Sequence, residues 1–203
     1  MSNVLISVPT RGQMCWQTVT RLEQIRDDRP GLPPILYEPG HLSIAATRNQ
    51  IVGKFMDTDC DVLVMVDDDV VPPPHFLDVT EYLPEYGMVG VPCPLWFPEP
   101  GFHLNVYRFD DDQALRLFDC DPGINDVDAL GTGCVAVHRT VFERLGSSPF
   151  RFEQPGVSED FVFCADLRKH DLRIGCFWDG WYADHIRALS MAPLLEQHLR
   201  ARV

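Results

Sequence analysis

The chain has 203 residues, of which 45% are hydrophobic, and its formal charge at pH 7 is −13. These values predict one globular domain over residues 1–203, with enough length for a continuous core. No apolar run approaches the ~20 residues of a membrane-spanning helix, and the negative charge disfavours binding to nucleic acid or anionic lipid without excluding it.

The cysteines indicate a reducing environment. Seven are scattered along the chain and none forms a CxxC pair, so neither a zinc ribbon nor a disulfide framework is expected. The N-terminus carries no basic region followed by a long apolar segment, which would mark a signal peptide. We therefore predict a cytoplasmic protein.

The first third of the chain is predicted to alternate strands with helices. Strands are expected over residues 3–8 and 34–37, and helices over residues 14–27 and 43–56. The serine at the start of the second helix, Ser43, is the expected N-cap. This alternation is typical of a sheet with parallel strands and crossover helices.

The central segment of the chain is an apolar run that ends in three aspartates. Val62–Val66 is rich in β-branched residues and is predicted to be a strand buried on both faces. Asp67, Asp68 and Asp69 follow directly, and three prolines at 72–74 prevent the strand from continuing. Adjacent carboxylates repel one another, and a divalent cation would offset that repulsion. The alternative is a solvated acidic turn.

The rest of the chain is predicted to mix short strands and helices. Strands are expected over residues 88–92, 104–109, 114–118, 134–138 and 173–178. Helices are expected over residues 75–83, 141–145, 159–169 and 189–199, the second of them capped by Thr140 and the third by Ser158. The stretches 119–128 and 147–156 are expected to be loops.

Two acidic residues lie in the first turn of the helix predicted after Ser158. Glu159 and Asp160 would interact favourably with the helix dipole at that position. From the local sequence alone, a stabilising role is the simpler interpretation. A catalytic role needs support from elsewhere in the chain.

Four segments, in this order, resemble the motifs of family 2 GT-A glycosyltransferases. They are Ile6-Ser7-Val8-Pro9-Thr10-Arg11, Ala46-Thr47-Arg48-Asn49, Asp67-Asp68-Asp69 and Ser158-Glu159-Asp160. They resemble, respectively, the first strand with its nucleotide-binding turn, the Ala-Arg-Asn segment, the DxD motif and the downstream Glu-Asp motif. The compact layout is also similar to that of small phage-encoded GT-A enzymes, which would place the protein in the host cytoplasm.

The resemblance implies an α/β fold, with a GT-A-like (Rossmann-like) mixed, mainly parallel sheet and helices on both faces. It also implies Mn²⁺- or Mg²⁺-dependent transfer of a sugar from a UDP- or GDP-linked donor to a hydroxyl group. The acceptor would be a protein, a glycan or modified DNA, of which DNA is disfavoured by the net charge. Two alternatives stay open: a nucleotidyltransferase, and a non-catalytic module that binds nucleotide or sugar.

The resemblance also assigns roles to individual residues. Asp160 would be the general base, with Glu159 beside it. The metal would be held by Asp67, Asp69 and a late histidine, His185. The donor would be contacted by Pro9, Thr10, Arg11, Glu38, Arg48, Asp67, Asp68 and Gly131.

Overall fold

The computed structural model describes residues 3–40, 43–97, 101–110, 113–116 and 120–186. The strands within these ranges are β1 (Val4–Thr10), β2 (Leu36–Pro39), β3 (Val62–Val66), β4 (Val70–Val71), β5 (Met88–Gly90), β6 (Pro94–Phe97), β7 (Gly101–Leu104), β8 (Val106–Asp110), β9 (Gln113–Arg116), β10 (Gly123–Val127), β11 (Ala129–Leu130), β12 (Cys134–His138), β13 (Ile174–Trp178) and β14 (Asp184–His185). The helices are α1 (Trp16–Asp27), α2 (Ile44–Met56), α3 (Arg139–Leu145), α4 (Glu159–Lys169) and a 3-10 helix, Phe76–Tyr82.

A seven-stranded mixed sheet forms the centre of the protein, in the order β10-β13-β5-β12-β3-β1-β2. Strands β2, β1 and β3 pair in parallel, as do β5 and β13, whereas β12 and β10 pair antiparallel with their neighbours. Five of the seven strands therefore point the same way. Their carboxyl ends share one edge of the sheet, which is where α/β folds bind ligands.

Helices cover both faces of this sheet. All five residues of β3 are buried, and they contribute alternately to two apolar clusters. One cluster contains Phe55 of α2, Phe142 of α3 and Phe163 of α4. The other contains Leu22 of α1 and Phe76 of the 3-10 helix. The predicted fold class, a mainly parallel α/β sheet with helices on both faces, is confirmed.

The described residues also form three smaller antiparallel sheets. β4 pairs antiparallel with β14, so that His185 lies opposite Val70. β8 pairs with both β9 and β11, and β6 pairs with β7. The β4–β14 pair brings His185 to the end of β3.

Several predicted elements differ from the observed ones. The predicted loop 119–128 contains β10, which pairs antiparallel with β13 along its whole length. The Gly, Asn and Asp residues of this segment favour a loop, but a ladder with β13 overrides that local preference. The helix at residue 139 begins one residue before the predicted cap Thr140, and the ring of His138 accepts the capping hydrogen bond instead. The predicted helix 189–199 lies outside the described residues.

The second helix matches its prediction closely. α2 follows Ser43, whose side chain accepts a hydrogen bond from the backbone N–H of Ala46, as expected for an N-cap serine. Within the described ranges, none of the helices combines the length and hydropathy that crossing a bilayer requires.

Candidate active site

A cleft of about 970 Å³ lies at the carboxyl ends of β1 and β3 and the first turns of α2 and α4. The structure brings together ten of the twelve residues that the sequence singled out. They are Pro9, Thr10, Arg11, Arg48, Asp67, Asp68, Asp69, Glu159, Asp160 and His185. These residues come from five separate parts of the chain, and their convergence makes this cleft the candidate active site.

Arg48 is the hub of the acidic side chains in the cleft. Its side chain is 3% exposed, and its Nη2 donates to both carboxylate oxygens of Asp67, at 2.9 and 3.2 Å. Nη1 donates to Oδ1 of Asp160 at 2.9 Å and to Oε1 of Glu159. A guanidinium suits this task because its donors lie in one plane and can each engage a different carboxylate oxygen.

Burial and the neighbouring charges shift the pKa values of the side chains in this cluster. Burial alone would lower the pKa of Arg48, but the nearby carboxylates more than offset this effect and raise it. Burial raises the pKa of Asp67, and Arg48 reverses only part of that rise. Burial, followed by the charge of Asp160, raises the pKa of Glu159. Three acidic side chains therefore share one cation, Arg48.

Asp68 holds the turn after β1. Its Oδ2 accepts a hydrogen bond from the backbone N–H of Arg11 at 2.9 Å, and its backbone C=O accepts one from Cys15 at 3.0 Å. The same turn contains Gly12 with φ +90°, a backbone conformation that residues other than glycine rarely adopt. The exposed side chain of Arg11 therefore extends from a turn whose backbone is fixed by the end of β3.

Asp69 and His185 form a second pair at the opposite side of the triplet. His185 Nε2 lies 3.2 Å from Asp69 Oδ2, and the backbone C=O of Asp69 accepts a hydrogen bond from Ile186 at 2.8 Å. The other ring nitrogen of His185, Nδ1, is buried and has no hydrogen-bond partner among the described residues. The ladder between β4 and β14 thus fixes the imidazole beside the carboxylate.

Asp69 and His185 offer two side chains of the types that bind divalent cations. A carboxylate and an imidazole are suitable ligands for Mn²⁺, and the remaining positions can be filled by phosphate oxygens and water. Among the described residues, no group of three or more His, Cys, Asp or Glu side chains is arranged to hold a metal by itself. Asp67, predicted as a third ligand, has both oxygens engaged by Arg48.

Two predicted donor contacts, Glu38 and Gly131, do not line the cleft. Glu38 is buried and forms an ion pair with Lys54. Gly131 packs against Asn105, whose Nδ2 would lie 2.6 Å from a Cβ added at the glycine. Neither observation tests a nucleotide contact, so both assignments stay predictions.

Thr132 is a site residue that the sequence reasoning missed. It is fully buried, and its hydroxyl donates a hydrogen bond to Oδ1 of Asp160. Its position between Gly131 and Gly133 was a usable signal, since that segment leads into β12, the antiparallel neighbour of β3. The prediction named the glycine and passed over the hydroxyl next to it.

Comparisons with known proteins agree with this architecture. No family model and no curated protein matches the chain. Among solved structures, A197 from STIV has a TM-score of 0.65 at 21% identity, covering 92% of this chain and 86% of that one. GalNAc-T7 with UDP, GalNAc and Mn²⁺ has a TM-score of 0.62 at 11% identity, covering 94% of this chain and 45% of that longer one. The chain has a GT-A-like fold.

A third similar structure belongs to another enzyme class. CMP:2-keto-3-deoxy-manno-octonic acid synthetase complexed with CTP has a TM-score of 0.57 at 11% identity, with both chains covered completely. At such low identities the likeness concerns the fold alone. The reaction of the GT-A-like chain must therefore be argued from its site.

Proposed function

We propose that the protein is a metal-dependent glycosyltransferase that moves a sugar from a nucleoside-diphosphate donor to an acceptor hydroxyl. The observation that carries this proposal is the arrangement at the end of β3. A carboxylate–imidazole pair lies on one side, Asp69 with His185, and an arginine-bound acidic residue that can act as a base, Asp160, lies on the other. Both line one cleft in a GT-A-like fold.

The nucleotide end of the donor would lie along the turn after β1. Pro9, Thr10 and Arg11 line the cleft there, and the exposed guanidinium of Arg11 is suited to a phosphate oxygen. UDP and GDP are the nucleotides to test first. A divalent cation at Asp69 and His185 would supply charge neutralisation for the leaving diphosphate.

The transfer step balances with Asp160 as general base. The O–H bond of the acceptor breaks and its proton passes to the carboxylate of Asp160. The acceptor oxygen forms a bond to the anomeric carbon. The bond from that carbon to the diphosphate oxygen breaks, and the electron pair leaves with the nucleoside diphosphate. This displacement inverts the configuration at the anomeric carbon.

The sequence predicts a donor contact for Arg48, and we propose a positioning role for it. Its two terminal nitrogens are engaged by Asp67, Glu159 and Asp160, so we assign it to positioning the acidic residues rather than to binding the diphosphate. All seven cysteines lie in the described part of the chain and none forms a disulfide bond there, which suits action in a reducing compartment such as the cytoplasm. The acceptor remains a protein, a glycan or modified DNA, with DNA disfavoured by the charge of −13.

The decisive experiment compares two aspartates of the same helix. Asp160→Asn removes the base but keeps the shape of the side chain. Asp166→Asn makes the same change six residues later on α4, where Asp166 pairs with Arg151 and Lys169 outside the cleft. We expect Asp160→Asn to bind donor normally and to lose about 10²–10⁴-fold in transfer rate, while Asp166→Asn keeps its turnover. Equal turnover in both variants would disprove the assignment of the base.

Product analysis by mass spectrometry separates this proposal from its rivals. A glycosyltransferase releases a nucleoside diphosphate, whereas a nucleotidyltransferase, the class to which the CTP-bound neighbour points, releases pyrophosphate. A non-catalytic module would bind donor and release neither product across a broad acceptor panel.

A further inference from the structure

Two hydrogen-bond donors hold the same oxygen of Asp160. Nη1 of Arg48 donates to Oδ1 at 2.9 Å, and the hydroxyl of Thr132 donates to that oxygen as well. The second oxygen, Oδ2, accepts no hydrogen bond from the described residues. The side chain of Asp160 is 23% exposed and lines the cleft, so the carboxylate has one fixed oxygen and one that a ligand can reach.

The segment that carries Thr132 is itself fixed at both ends. The backbone N–H of Gly131 donates to the C=O of Asn105 at 2.9 Å, and the C=O of Gly133 accepts from the N–H of Asp67 at 2.9 Å. A Cβ at Gly133 would lie only 3.0 Å from Oδ2 of Asp67. The chain therefore passes tightly between two side chains, and Thr132 is fully buried.

We propose that Thr132 is a positioning residue for the general base. Its hydroxyl and Arg48 fix the rotation of the Asp160 carboxylate, so that Oδ2 faces the cleft and takes the proton of the acceptor hydroxyl. This inference rests on the proposed function, because it assigns Asp160 the role of base. It adds the reason why one oxygen of that base, and not the other, is available to the acceptor.

A competing explanation is that the hydrogen bond serves only Thr132. A buried hydroxyl needs a partner, since leaving it without a hydrogen bond destabilises the folded state. If Asp160 merely satisfies the threonine, then Thr132→Val removes both the hydroxyl and its need for a partner. Transfer would be unchanged in that case, because nothing would depend on the orientation of the carboxylate.

The test uses two substitutions at Thr132 in the full-length protein. Thr132→Val keeps the shape and removes the donor, whereas Thr132→Ser keeps the donor and removes a methyl group. We expect Thr132→Val to lose about 10–100-fold in kcat, the range expected from a small misplacement of a reacting group, with an unchanged KM for the donor. Thr132→Ser should retain most of the parental kcat. Parental kcat in Thr132→Val would overturn the proposal, as would equal losses of kcat and of melting temperature in both variants.

The two proposals fail in distinguishable ways. If Asp160→Asn keeps its transfer rate, the base is wrongly assigned and the proposed function fails at that point. If Asp160→Asn is inactive but Thr132→Val has parental kcat, the assignment of the base is kept and only the role of Thr132 is refuted.

Discussion

Replacing Arg48 by methionine should strongly destabilise the protein at neutral pH. The substitution keeps the length and apolar stem of the side chain but leaves three carboxylates without their shared cation. Removing one partner of a buried ion pair costs about 3–5 kcal/mol. Because the side chains of Asp67 and Asp160 are 29% and 23% exposed, water offsets part of that cost. We therefore expect the low end, ~3 kcal/mol, which corresponds to a decrease in melting temperature of roughly 6–12 °C for a chain of this length.

The loss of stability in the Arg48→Met variant should become smaller as the pH falls. Burial already raises the pKa of Asp67 and of Glu159 above their ordinary values of 3.8 and 4.5, and losing Arg48 raises both further. A group whose pKa is raised by folding favours the folded state below its unfolded pKa, and loses that contribution as the pH rises through its folded pKa. At pH 5 the carboxylates of the variant are therefore more protonated, and less of the repulsion remains.

Urea and thermal unfolding at pH 7 and pH 5 measure both effects. Arg151→Met is the matched control, since Arg151 also contacts two acidic side chains, Glu153 and Asp166, but is itself 41% exposed. It should lose only about 0–1 kcal/mol. A melting temperature of the Arg48→Met variant equal to that of the parent, or a deficit of the same size at both pH values, would refute the reasoning.

Two further predictions concern the Asp69–His185 pair and the ion pairs of Asp166 on α4. In calorimetry, binding of UDP or GDP should require Mn²⁺ or Mg²⁺. Asp69→Ala and His185→Ala should each make the affinity insensitive to EDTA. If His185→Ala instead lowers the melting temperature and keeps the parental manganese titration, His185 is structural. Burial alone would raise the pKa of Asp166, but hydrogen bonds from Arg151 and Lys169 lower it overall, so its contribution to stability is present above pH 3.8 and is lost as the pH falls through the folded pKa. Asp166→Asn should therefore cost ~1 kcal/mol at pH 7 and progressively less as the pH falls below 3.8 in urea unfolding, and a constant loss of stability over that range would contradict this assignment.

The centre of the fold was predictable because local and long-range requirements agree there. Val62–Val66 is apolar at every position. A strand buried on both faces could therefore be predicted from this segment alone, without knowledge of its neighbours in the sheet. Ser43 preceded a helical pattern and caps a helix in the structure. At β10 the local composition favoured a loop, and only the partner strand β13 decided otherwise. The sequence contained no local sign of that partner.

The roles of individual site residues were harder to predict for a related reason. Glu159 and Asp160 suit the first turn of a helix on local grounds, and nothing nearby in the sequence distinguishes that role from catalysis. Their partner is Arg48, which precedes Asp160 by 112 residues and contacts it directly. Likewise, only the hydrogen bond from Thr132 to Asp160 indicates a role for Thr132 in the site. Such contacts between distant segments are set by topology, and a single sequence does not display them.

The three consecutive aspartates show how the chain manages their mutual repulsion, because each faces a different partner. Asp67 binds Arg48, Asp68 accepts the N–H of the turn after β1, and Asp69 lies beside His185. A solvated acidic turn would need none of these partners. Since each carboxylate has its own partner, alanine substitutions should give three different results: lost stability of the acidic cluster at Asp67, a disordered turn after β1 at Asp68, and lost metal dependence of nucleotide binding at Asp69. Three variants with one common phenotype would mean that the triplet acts as a single acidic surface after all.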